Sequence, residues 1–156
     1  MSKKPSYVGV LNAIANGERG GHALFKSWAG STPDKDLKPV LEMVAIREME
    51  HSWAFEKRLS ELGFGLKETI NKDLKKHVKL LGSKISDKEK FASFGLVEGE
   101  KVTESEKDGL LQILSDKTID PITGGLIGRF ICEERDTAVQ LKKAFRLTQR
   151  KKAAKR

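Results

Sequence analysis

Glu48 and His51 are separated by two residues and lie on one stripe of a helical repeat, Leu41, Val44, Glu48, His51, Phe55, Leu59 and Leu62, which should face a core. A lone carboxylate placed there is strongly disfavoured unless it is paired, protonated or bound to a metal. A Glu and a His one helical turn apart can bind a single cation, because carboxylate oxygen and neutral imidazole nitrogen are both ordinary ligands of first-row divalent metals.

The anomaly recurs in three other segments. An acid interrupts the stripe Leu11, Ile14, Glu18, His22, Phe25; another interrupts Phe91, Phe94, Glu98, which continues through Lys101 or Val102 to Ser105; a third interrupts Phe130, Glu134, Thr137, Leu141, Phe145. Four acids near the middle of four helices would meet in one layer and repel each other. Two divalent cations would balance them, with His51 as a neutral ligand. Glu100 competes with Glu98 for the third position, and Lys101 would replace metal charge if it paired with Glu98. In the last segment, a register using Glu133 and Asp136 would bring Arg129 onto the stripe, which favours Glu134. His22, one turn beyond Glu18 on the same face, is expected to be a hydrogen-bonded histidine of the bundle wall, with a place as a further imidazole ligand as the alternative. Tyr7 lies about 16 Å along the helix from Glu18, too far for a radical role.

The elements that must position these residues are all helical. No alternating β-branched run suggests a sheet. A first helix is expected from Ser6, as N-cap, to Ala29; a second starts near Asp36, carries Pro39 in its first turn and stops at Gly63. A third opens with the capping box Ser86-Asp87-Lys88-Glu89 and continues to about Asp116. The fourth is capped by Asp120 with Pro121 in its first turn. Short links make helical hairpins of the first and last pairs. The middle link of about 23 residues carries its own amphipathic pattern, Leu66, Ile70, Leu74 and Val78, and is long enough to return along a helix of about 39 Å if partly helical. The expected fold is all-α: a four-helix bundle of two antiparallel hairpins joined by a long crossover containing a short helix. Residues 1–149 would form the bundle and residues 150–156 a basic tail.

On these residues the chain resembles the ferritin-like superfamily, and within it the small rubrerythrin-type proteins, from about Tyr7 to Leu147. The resemblance implies two helices giving one Glu each and two giving a Glu-x-x-His each, together holding two iron or manganese ions. By position, Glu18 matches the first single Glu, Glu48 and His51 the first Glu-x-x-His, Glu98 the second single Glu and Glu134 the Glu of the last motif. Thr137 stands where the second His is expected, which puts the second metal position in question. The implied function is that of an iron protein, an oxidoreductase acting on dioxygen, peroxide or ferrous iron. An external electron donor would serve it, since this chain carries no cysteine-rich electron-transfer segment. A homodimer is expected.

The composition agrees with a single helical domain: of 156 residues, 38% are hydrophobic and 33% charged. The net charge of +8 invites a nucleic-acid reading, but six of the basic residues lie between Arg146 and Arg156 with no acid among them. The remainder of the chain is close to charge balance. The alternative function is therefore a metal-free interaction module whose basic tail contacts nucleic acid or an acidic partner. Cys132, the single cysteine, excludes an internal disulfide and is expected in helix packing. No apolar run is long enough for a membrane span and the N-terminus has no signal-like core, so a cytoplasmic location is expected.

Overall fold

The protein is described by a computed structural model over residues 4–97 and 109–154. The described residues form helices α1 (Val8–Ser31), α2 (Leu37–Glu61), α3 (Leu74–Leu81), α4 (Asp87–Ser93), α5 (Gly109–Ile113) and α6 (Pro121–Ala153), and no strand. No helix among them is long and apolar enough to cross a membrane.

Local chemistry sets most boundaries. Ser86 accepts the Glu89 backbone N–H while the Glu89 carboxylate accepts the Ser86 N–H, which starts α4. Asp120 accepts the Thr123 N–H, and Pro121 opens α6 without wasting a donor. Asp34, rather than Asp36, receives the free N–H groups at the start of α2, from Asp36 and Leu37. α1 begins at Val8, and Ser6 does not cap it: its hydroxyl donates to Asp116 instead. Gly63 ends α2 at φ 82°, with Phe64 N–H reaching back to the Leu59 carbonyl.

The same device corrects the expected third long helix. Gly95 adopts φ 76°, its N–H binds the Ala92 carbonyl, and Leu96 N–H closes on Phe91, so α4 ends at Ser93. A helix continuing from Ser86 to Asp116 is thus excluded. The apolar repeat through Phe94 suggested continuation, but a left-handed glycine with two satisfied carbonyls is a stronger local signal than periodicity.

Contacts give the chain directions. Ser52 donates to the Ala15 carbonyl and His22 meets the Ala45 carbonyl, so α1 and α2 are antiparallel. Arg47 reaches Thr137 and Arg58 reaches Asp120, so α6 is antiparallel to α2 and runs in the direction of α1. Between α2 and α4 the chain returns along α1: Asn12 and Asn16 hold the backbone of Lys67 and Thr69, and Ser27 and Ser31 donate to the Val78 and Leu81 carbonyls.

Two apolar clusters fill the ends of this assembly. One gathers Phe25, Trp28, Leu41, Leu81, Phe91 and Phe145; the other gathers Leu11, Phe55, Leu59, Ile127 and Phe130. Each fully buried large side chain is worth about 1.5–3 kcal/mol. Tyr7 belongs to the second end, where its hydroxyl donates to Asp120, itself held by Arg58. Cys132 is exposed on α6, not packed between helices. Trp53 and Ile46 are 64% and 68% exposed on α2, so neither is covered by the described residues. Arg150 to Lys152 continue α6, and Lys151 bonds Asp34 and Asp36.

Candidate metal centre

Between the two apolar ends lies a layer of ionisable side chains from α1, α2 and α6. Glu18, Glu48 and His51 are each less than 10% exposed (8%, 6% and 4%). Their positions follow from the helical repeat that buries Leu11, Ala15 and Phe25 on α1 and Leu41, Val44, Phe55 and Leu59 on α2.

His51 is the hub. Its Nδ1 lies 3.0 Å from Glu18 Oε2 and 3.7 Å from Glu134 Oε1; its Nε2 lies 2.5 Å from Glu133 Oε2. The Phe130 ring meets the imidazole edge-on at 5.1 Å and helps to fix its plane. Burial opposes a charge on His51, but its hydrogen bonds to the Glu18 and Glu133 carboxylates outweigh it and raise the imidazole pKa. One ligand atom each from Glu18, His51 and Glu134 falls within 4.8 Å of the others, a spacing suited to one metal ion.

One observation fits that group of atoms to a cation. Glu134 Oε1 is buried without a hydrogen-bond partner. On α1, a Cβ at Gly21 would lie 1.9 Å from Glu48 Oε2, so the glycine leaves the room that the Glu48 carboxyl fills. Without a cation the layer holds protons. Burial, then the charges of Glu18 and Glu134, push the Glu48 carboxyl up to about 9, against the opposing charge of Arg47. Burial and Glu18 push Glu134 up to about 7. Glu133 is drawn below the usual carboxylate range, burial being outweighed by His51 and Arg129.

The structure therefore brings together Glu18, Glu48, His51 and Glu134. Glu98, with its rival Glu100 and its neighbour Lys101, lies outside the described residues. His22 is not at the centre: its Nδ1 binds the Ala45 carbonyl at 2.7 Å, the bundle-wall role expected of it. Both Glu133 and Glu134 reach His51, so choosing one register against the other set aside a residue that belongs. Arg129 does not have to turn inward to allow this; it stays 56% exposed and clamps Glu133 from outside, with Glu50 on its other arm.

Arg47 had no place in the reading of the sequence. Its Nη1 donates to Asp136 Oδ2 at 2.9 Å, Thr137 Oγ1 at 3.0 Å and the Glu133 carbonyl at 3.2 Å. The available signal was its spacing, four residues before His51 and beside Glu48, at the edge of the buried stripe. No family model, characterised protein or solved structure matches this chain.

Proposed function

We propose that this chain is a metal-binding protein of ferritin-like type, a four-helix bundle whose central layer holds iron. The observation that carries the reading is the convergence of Glu18, His51 and Glu134 to within 4.8 Å between two apolar clusters, with Glu134 Oε1 lacking a hydrogen-bond partner. The chain directions support the bundle type. An up-down-up-down bundle would set its last helix against the first, whereas α6 runs with α1, as a crossover along the full hairpin requires.

Glu18, Glu134 and the Nδ1 of His51 would hold the ion, and Glu48 would complete its carboxylate surroundings. Glu133 would receive the Nε2 proton, fixing the tautomer that frees Nδ1, as partners of metal-bound histidines do. A bound iron ion would supply electron transfer to dioxygen or peroxide. The protons that burial keeps on Glu48 and Glu134 would be released when the ion enters. Manganese is the rival ion, an external donor the source of electrons, and a homodimer the expected assembly.

The test is metal analysis of the full chain, purified without a chelating tag and loaded anaerobically with Fe(II) or with Mn(II). Retention of about one ion per chain through gel filtration is expected, lost in the Glu18→Gln/His51→Ala variant. Less than about 0.2 ion per chain would overturn the reading. One observation favours a second reading, a metal-free polar layer: His51 already has a carboxylate on each ring nitrogen, which satisfies an imidazolium without metal. On that reading the loaded and metal-free proteins melt at the same temperature.

A further inference from the structure

Glu48 and Glu134 each begin a pair spanning one helical turn, Glu48 with His51 on α2 and Glu134 with Thr137 on α6. The two pairs do different things. His51 turns one ring nitrogen toward Glu18 and Glu134 and the other toward Glu133. Thr137, 5% exposed, uses its hydroxyl to accept from the Arg47 guanidinium. That guanidinium is also held by Asp136 and by the Glu133 carbonyl, three acceptors from one stretch of α6 on a single nitrogen. Arg47 has a side chain 21% accessible, so most of it is enclosed between α2 and α6.

We propose that the centre binds one metal ion, not two, and that the Arg47 guanidinium, anchored on Thr137 and Asp136, is the permanent cation on the other side of the layer. This rests on the metal-binding reading above. The ligands carry it. Among the described residues, Glu18, His51 and Glu134 gather one set of ligand atoms within 4.8 Å, and the position on α6 where a second imidazole would stand is held by the contact of Thr137 with Arg47. A threonine hydroxyl is a poor ligand for a divalent metal, and here its oxygen is already accepting from a donor that never loses its proton.

The inference separates the chain's acids by role. Glu18, Glu134 and His51 are ligands of one ion; Glu133 positions the imidazole; Asp136 positions Arg47. It gives Arg47 a function that a surface ion pair would not have, namely setting metal stoichiometry.

The experiment is equilibrium dialysis of the full chain against Mn(II), counted by metal analysis and followed by electron paramagnetic resonance. The wild type is expected to saturate at one Mn(II) per chain with the six-line spectrum of an isolated ion. The Arg47→Leu/Thr137→His variant, which removes the guanidinium and supplies a second imidazole, is expected to take up two ions with a broadened, exchange-coupled spectrum. A wild type that holds two coupled ions would overturn this inference while leaving metal binding intact. A wild type that binds none overturns both. If the double variant does not fold, the wild-type spectrum and count decide alone. A folded double variant that still saturates at one ion would show that Arg47 does not limit the stoichiometry.

Discussion

The two turns that begin at Glu48 and at Glu134 differ in a single ligand, and the difference reorganises everything around them. On α2, His51 meets Glu18 and Glu134 at one ring nitrogen and Glu133 at the other. On α6, Thr137 draws no acid of the cluster and instead accepts from Arg47. An imidazole can lose a proton and accept a metal; a guanidinium cannot. One side of the layer is thus adjustable and the other fixed in charge, although both derive from the same spacing.

Breaking the adjustable side should have the largest effect. His51→Ala leaves Glu18 and Glu133 without their shared donor and Glu134 without its nearest positive group. We expect loss of metal affinity of at least about 100-fold and destabilisation of about 3 kcal/mol in the metal-free protein, read by dialysis and by urea unfolding. Unchanged affinity would move the site elsewhere.

A smaller effect distinguishes protons from metal. The folded, metal-free protein keeps a proton on Glu48 up to about pH 9 and on Glu134 to about 7, whereas the unfolded chain releases both near 4.5. The folded state therefore binds more protons through that window, and stability falls as pH rises. His51 acts in the same sense: the stability it contributes is complete below its ordinary 6.5 and is lost as pH climbs through its raised value. Glu133, held below the usual range, works at the acid end, where its contribution disappears as pH falls through its folded value. Chelator-treated protein should melt at least about 5 °C lower at pH 8.5 than at pH 5.5, and saturating metal should flatten that slope. Glu48→Gln, which mimics the protonated acid, should flatten it without metal. A melting temperature independent of pH in the wild type would show that the layer carries no raised acids.

Gly21→Ala sharpens the comparison without deleting a ligand. Its Cβ would occupy the place of Glu48 Oε2, so the flexible carboxyl must swing aside. Alanine gains about 1 kcal/mol of helix propensity, which offsets much of the strain. The variant should melt within about 3 °C of the wild type yet bind metal about tenfold more weakly. An equal affinity would remove Glu48 from the ion's surroundings. The smallest effect is expected at His22→Gln, which weakens one bond to the Ala45 carbonyl, with a stability loss of about 1 kcal/mol and unaltered metal stoichiometry. A lost ion in that variant would bring His22 back into the centre.

Much of this was legible in the chain. The interrupted stripes placed Glu18, Glu48 and His51 in the interior, because burial in a helix follows a fixed angular repeat. Ser86, Glu89, Asp120 and Pro121 marked helix starts for reasons confined to one turn. The end of α4 is not legible in the chain, because Gly95 resembles any mid-helix glycine until its φ is known. Glu133 and Glu134 could not be ranked by periodicity, since adjacent residues differ by about 100° around the axis and both can reach a partner that approaches between them.

The helical character, the ionisable groups that interrupt the buried faces and the starts of most helices are written in the chain alone. These are properties of one turn at a time, set by repeat, cap and propensity. The meeting of His51 with Glu133 as well as Glu18, the room that Gly21 leaves for Glu48 and the rest of Arg47 on Thr137 exist only once the helices pack. Those contacts depend on the relative rotation and depth of α1, α2 and α6, which whole-helix packing fixes and no single helix encodes.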